Sequence, residues 1–337
     1  SDPMKILSLE KNTDVEANIR AMLINMAEQV VANRDDLGNM SPGMWADFIR
    51  TGRVLGEPEY VHTAINRLRQ LVTQKFFYDG VWIEGAPSYH SQVMGGLRSV
   101  FTVAKGYSDP PGYSNPDTGE RFDNLDIEAD MPGVVRATEA LALMRMPDGR
   151  YSPMHDTWWT NRSGTLSESN PILLGGLGHA ILGTGSGDSQ FQAHLTWSPG
   201  YGHRHWDGLS LLLWAHGHEQ LSDIGYTHTK WREWAIQTAS HNLVVVDQAN
   251  QTADRTTHGH LRYFMPGERV QVISVANPQV YPNVTDLYRR TVALVSVDDA
   301  NIYLVDIFQT RGGQMHDYFL HGNADVTQTL QANVHLS

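Results

Sequence analysis

The hydrophobic period of this chain changes once, near Arg145, and that change limits the folds open to it. Before it, apolar residues recur at helical spacing. Ile19, Met22, Leu23, Met26 and Val30 predict a helix over 15–31. A second helix is expected over 44–55, with Ser41 as N-cap and Pro42 in the first position. Further helices are read over 57–77, carrying Ile65, Leu68, Leu71 and Val72, over 92–104 and over 130–144. The stretch 106–127 is rich in Gly, Pro, Asp and Asn and reads as an exposed loop. After Arg145 the pattern turns to period two and short apolar runs. Strands are expected over 209–214, 242–246, 269–275, 288–296 and 301–308, punctuated by Pro-Asp-Gly at 147–149, Pro-Gly at 266–267 and Gly-Gly at 312–313. Helices first and strands second predict an α+β chain: a helical domain over 1–145, then an antiparallel β-sheet domain over 146–337.

A length of 337 residues agrees with that division, at roughly 150 residues per domain. With 25 Lys+Arg against 37 Asp+Glu, the net charge of −12 argues against nucleic acid as a partner. No membrane span is expected: the longest apolar run in the histidine-rich half, Leu211 to Ala215, falls far short of the ~20 residues required. The absence of cysteine removes disulfides, thiolate metal sites and cysteine nucleophiles together.

Histidine is the unusual residue: the chain has 16, and they crowd the stretch from His194 to His260, which holds nine of them. The densest part reads Gly202-His203-Arg204-His205-Trp206-Asp207-Gly208. On an extended segment His203, His205 and Asp207 would share one face. Asp223 and His241 sit at the edges of the next elements. A lone histidine is most often solvated or hydrogen-bonded, but imidazoles alternating with a carboxylate, and a second Asp and His nearby, suit a first shell for zinc.

This block resembles the heparinase II/III-like polysaccharide lyases. The stretch Ser240-His241-Asn242 before a valine run, then Asp247 and Asn250-Gln251, is similar to one found in that family. So is Asp79-Gly80-Val81-Trp82-Ile83-Glu84-Gly85, followed by a helix start with Tyr89-His90. The resemblance implies an incomplete (α/α) toroid followed by antiparallel, sandwich-like β-sheets, with this sequence part of a longer enzyme. It implies His203 as a catalytic histidine, Tyr89 as the proton-transfer residue, and His205, Asp223 and His241 as ligands of a structural zinc ion. Gly38-Asn39-Met40 stands where the family places an Asn or Asn-His, so Asn39 is expected to touch the substrate carboxylate. Met40 replaces the second histidine of several relatives, and His90 is the candidate to compensate. The implied partner is an anionic, uronic-acid-containing glycan, and the implied location is periplasmic or secreted. The sequence leaves the oligomeric state open.

These residue types suit β-elimination. A base removes the C5 proton of a uronic acid, the C4–O bond breaks, and donors to the carboxylate stabilise the developing enediolate. Asn39, His203 and Arg204 are candidate donors, and one tyrosine can serve as both base and acid when both transfers occur on one face. Glu84 is expected to support this region. Trp45, Trp82 and Trp206 are candidates to stack on sugars, and Arg98, Arg162 and Arg232 to meet anionic groups. His155-Asp156 and Trp158-Trp159 are candidates to line the cleft. The alternatives are a uronyl C5-epimerase, a zinc-dependent hydrolase built on the HxHxD cluster, and a non-catalytic glycan-binding domain.

Overall fold

The computed structural model describes residues 2–11, 13–33, 37–198, 202–298, 301–323, 325–329 and 331. The chain divides into two units, one of Ser1–Phe76 with Ser91–Thr138 and one of Phe77–His90 with Glu139–Ser337. The helices are α1 (Pro3–Lys11), α2 (Val15–Asn33), α3 (Ser41–Leu55), α4 (Pro58–Gln74), α5 (Pro87–Ala104), α6 (Ile127–Asp130) and α7 (Pro132–Leu143).

In the first unit, α4 opens on Pro58 and buries Val61, Ile65, Leu68 and Leu71, which fall on one face at helical spacing. Burying each such side chain contributes about 1.5–3 kcal/mol. Its partner α3 approaches closely because Gly52 has no side chain; a Cβ there would stand 2.8 Å from the Glu57 carbonyl and 3.0 Å from Tyr60 Cβ. The helix stops at Gly56, whose φ of 77° is left-handed. Ser41 is not the N-cap expected of it. Met40 holds that position without a side-chain bond, and Ser41 Oγ instead accepts from the Gly38 N–H at 3.0 Å. The loop 106–127 is also less exposed than its composition suggested. Tyr107, Asp109, Phe122 and Leu125 are buried, and Asp109 accepts from His62 of α4 at 2.9 Å and from the Phe122 N–H at 2.6 Å. Trp45 is buried on α3, which removes it as a sugar platform. The apolar stripe of α2 is open, with Ile19, Met22 and Met26 exposed.

The second unit is built from antiparallel strands. β1 (Ile172–Leu174), β2 (His179–Thr184), β3 (Phe191–Thr196), β4 (Leu211–Ala215) and β5 (His218–Leu221) form a five-stranded meander in chain order. β6 (Val244–Val246) pairs with β11 (His316–Tyr318). β7 (His260–Pro266), β8 (Val270–Ala276), β9 (Thr285–Ser296) and β10 (Ile302–Gly312) form a four-stranded sheet in the order β10-β9-β8-β7. The five-stranded and four-stranded sheets share one core: Leu182, Leu195 and Leu211 cluster with Ile273, Val292 and Leu294. Gln271 of β8 reinforces the contact by pairing with both the N–H and the C=O of Gly183 on β2, at 2.9 and 2.7 Å. Arg290 is fully buried, and its charge is met by Asp306 at 2.6 Å.

The five expected strands fall on β4, β6, β8, β9 and β10. Period two did not reveal β2 and β3. β3 is buried at every position and β2 at all but its last residue, so neither alternates.

Candidate active site

The stretch 77–90 belongs to the second unit and carries Tyr89 into it. The turn before Tyr89 is tightly specified. Asp79 accepts from the Gly176 and Leu177 N–H groups at 2.7 and 2.9 Å, which anchors its base. Gly85 takes φ 77° and donates its N–H to the Trp82 carbonyl, a left-handed geometry that favours glycine. Helix α5 then starts at Pro87, five residues earlier than its periodicity suggested, so Tyr89 lies on its first turn. Ser88 Oγ accepts from the Trp158 N–H at 2.8 Å and from Asn161 at 3.0 Å, tying that turn to the 158–161 segment.

The Tyr89 ring stacks on His203, with centroids 3.4 Å apart and planes 13° from parallel. His203 Nδ1 faces Asp156 Oδ2 at 3.1 Å, and its Nε2 stands 3.9 Å from Glu84 Oε1. Since a carboxylate only accepts, Asp156 fixes the proton on Nδ1, and Nε2 faces Glu84. The Tyr89 phenol is pushed up to about 12, first by burial and then by Tyr226, to which it is hydrogen-bonded, and by Asp156 and Glu84. This surrounding favours the neutral phenol.

Asp156 is the residue whose importance the sequence understated. Its buried carboxylate receives His203 Nδ1, His205 Nε2 at 3.1 Å, and both terminal nitrogens of Arg232. Burial works against its charge, but the hydrogen bonds from His203, His205 and Arg232 outweigh that and hold the carboxyl well below the ordinary range. Arg232 lies on α8 (Arg232–Ala235) and stacks over Tyr226 at 4.9 Å, so its charge is already engaged. No spacing rule connects Asp156 to His203 and His205; the only sequence signal was its place after the change of period.

His203 and His205 do not lie on a strand. They sit in the irregular segment before β4, and their common partner is Asp156 rather than a shared strand face. Asp207 turns aside to pair with His155 at 3.2 Å, leaving the expected His–His–Asp alignment. His205, Asp223 and His241, by contrast, converge. His205 Nδ1 and His241 Nε2 are 3.2 Å apart, and Asp223 Oδ2 is 3.4 Å from His241 Nε2. The outer nitrogens are committed: His205 Nε2 donates to Asp156, and His241 Nδ1 donates to the Gln237 carbonyl at 2.7 Å. Two imidazole lone pairs and a carboxyl oxygen therefore face one another. Burial lowers the pKa of both histidines and drives the Asp223 carboxyl up to about 7. Such a cluster could hold a cation. A tetrahedral ion with bonds of about 2.0–2.1 Å would set its ligands about 3.3–3.4 Å apart, close to the spacings seen here.

Two expected contacts are ruled out by burial. Trp82 is 1% exposed and donates Nε1 to Glu84 at 2.8 Å, so it braces Glu84 rather than a sugar. His90 is 0% exposed, and its Nδ1 accepts the Trp82 N–H at 3.0 Å, so it cannot reach substrate as a second base. Glu84 and Trp206 are half-buried, and Arg204 is exposed. Asn39 lies in the first unit, in the turn that leads into α3. A groove of about 610 Å³ elsewhere in the second unit contains none of these residues; its lining includes Glu168, Glu268 and Asp298, unfavourable neighbours for a polyanion.

Residues 186–336 match the family model described as heparinase II/III-like, C-terminal. Over 219 residues the chain is 28% identical to an alginate lyase of Stenotrophomonas maltophilia (strain K279a), covering 59% of this chain and 28% of the relative. Over 154 residues it is 33% identical to an exo-oligoalginate lyase of Saccharophagus degradans, covering 40% and 20%. It thus spans less than a third of either relative. The fold is similar to that of heparinase III, at a TM-score of 0.66 and 15% identity over 89% of this chain and 52% of that one. Heparan sulfate lyase HepC of Pedobacter heparinus gives a TM-score of 0.58 and 17% identity over 80% and 45%.

Proposed function

We propose β-elimination on a uronic-acid-containing glycan, with Tyr89 as the proton-transfer residue, for this chain, whose residues 186–336 match the heparinase II/III-like, C-terminal family. The observation that carries this reading is the stack of Tyr89 on His203, whose Nδ1 is fixed by Asp156. The ionised Tyr89 Oη takes the C5 proton, the C5–H electrons become the C4=C5 double bond, and the C4–O bond breaks. The same phenol then returns the proton to the departing oxygen. With its proton held on Nδ1 by Asp156, the neutral His203 ring keeps a lone pair on Nε2, which makes it a second base. Asn39 is assigned to the substrate carboxylate by resemblance alone, and Arg204 is an exposed cation proposed to meet the chain of sugars. The helices before residue 145 are read as part of an incomplete (α/α) toroid, and the shared-core sheets as a sandwich-like domain of a longer, periplasmic or secreted enzyme.

His205, Asp223 and His241 would hold a zinc ion. When bound, it would neutralise the buried carboxylate and fix the loop that carries His203. The ligands are 0–6% exposed, which supports a structural role and disfavours a hydrolase, since a metal-bound water would need access to substrate.

Alginate is the first substrate to test, because the sequence relatives carry that name. Metal-loaded protein should generate the ultraviolet absorbance of the new double bond on alginate or oligoalginate, or on one member of a panel with heparan, chondroitin and dermatan sulfates. Deuterium entering C5 from solvent without chain cleavage would replace elimination with epimerisation. Neither signal on any polyuronate would overturn the proposal.

A further inference from the structure

We infer that one water molecule is a fixed component of the second unit, held in a small buried chamber between β2, β3 and the segment preceding β4. The chamber has a volume of about 10 Å³ and is lined by His179, Thr196, Asp207 and Ser210, with His194 and Asp223 beside them. These four side chains belong to residues 1–5% exposed. Among the described residues, His179 Nδ1, Thr196 Oγ1 and Ser210 Oγ have no hydrogen-bond partner, and Asp207 Oδ2 has only the His155 ring beside it. Leaving one buried polar atom unpaired costs about 1–3 kcal/mol, so several around one space point to an occupant.

The polarity of the chamber can be derived. Gln192 Oε1 only accepts, so His194 Nε2, 2.9 Å away, carries the proton. His194 Nδ1 is then a lone pair and receives His179 Nε2–H across 3.3 Å. His179 Nδ1 is therefore a lone pair as well. Burial keeps both imidazoles neutral. The chamber thus presents two acceptors that cannot donate, His179 Nδ1 and Asp207 Oδ2, and two hydroxyls that can. A water molecule complements that set: it donates twice and accepts twice. The volume also matches, since about 10–15 Å³ admits one water. A cation is disfavoured because Asp207 already has the His155 ring as its ionic partner.

The water joins β2 and β3 to Asp207, and through Asp207 to His155. The His155 ring packs under the Gly85 turn, where a Cβ on Gly85 would lie 3.6 Å from its Cδ2. The occupant therefore braces the turn that delivers Tyr89.

The sign of a stability change tests this. Thr196→Val keeps the shape and removes the hydroxyl. With water present, the variant loses one ordinary hydrogen bond, and the unfolding equilibrium should shift about fivefold towards the unfolded state. In a dry chamber the same change removes an unpaired polar group and stabilises the protein, as would Ser210→Ala. A high-resolution crystal structure of the unaltered, metal-loaded protein decides independently of the variants. One oxygen within hydrogen-bonding distance of His179 Nδ1 and Asp207 Oδ2 is expected. An empty chamber, or an ion at metal-bond distances, would overturn the inference.

Discussion

Replacing Tyr89 by phenylalanine removes one oxygen and leaves the ring that stacks on His203, so the variant should fold as the parent does. Its expected effect on turnover is a loss of about 10²–10⁴-fold, the usual contribution of a positioned acid–base group. The pH dependence is the sharper test. Burial, Tyr226, Asp156 and Glu84 hold the phenol at about 12. The phenolate fraction at pH 7 is then roughly 1 in 10⁵, against about 1 in 10³ for an ordinary phenol of pKa near 10. If the phenolate removes the C5 proton, kcat/KM of the parent should rise about tenfold per pH unit from 7 to 9, with no plateau below pH 10. The assay is the initial rate of double-bond absorbance in metal-loaded enzyme, with circular dichroism to confirm that both proteins stay folded throughout. A well-folded phenylalanine variant with parental turnover would refute the assignment. A parental profile flat from pH 7 to 9 would refute the reasoning that the free phenol is high and must ionise.

Metal removal should lower the melting temperature, and the loss should grow with pH. In the metal-free chain the folded Asp223 carboxyl titrates near 7, above its ordinary value, so its contribution is complete at acid pH and is lost as pH rises through 7. Metal binding needs the carboxylate and reverses that trend, so the difference in melting temperature between loaded and chelated protein should widen from pH 5 to pH 8; a constant difference would argue against this metal site. Arg290→Met strips a fully buried guanidinium from Asp306, from the Leu209 and Asn242 carbonyls and from Tyr318. Denaturant unfolding should show a loss of about 3–5 kcal/mol, the cost of breaking a buried pair from one side. A loss below 1 kcal/mol would show that the network relaxes.

The sequence disclosed period and chemistry but not enclosure. The stripe of α4 and the alternation of β9 and β10 were legible because each element has one face inward and one outward. β2 and β3 escaped because nearly all of their residues are buried, and a strand covered on both sides has no period to find. The same limit governs the site. His205, Asp223 and His241 could be named from residue type and resemblance, since a metal's donors must be of few kinds. Asp156 could not be weighted, because its role rests on meeting two histidines and an arginine from segments 47 to 76 residues away. Trp82 and His90 were overvalued for the converse reason: they stand beside reactive residues in sequence, yet both point inward and spend their polar atoms holding the turn. In that turn, proximity along the chain separates the proposed proton-transfer residue from those that hold it only once burial is known. Tyr89 is the half-buried member of a run in which Ser88 and His90 are both enclosed, and it alone of the three stacks on His203.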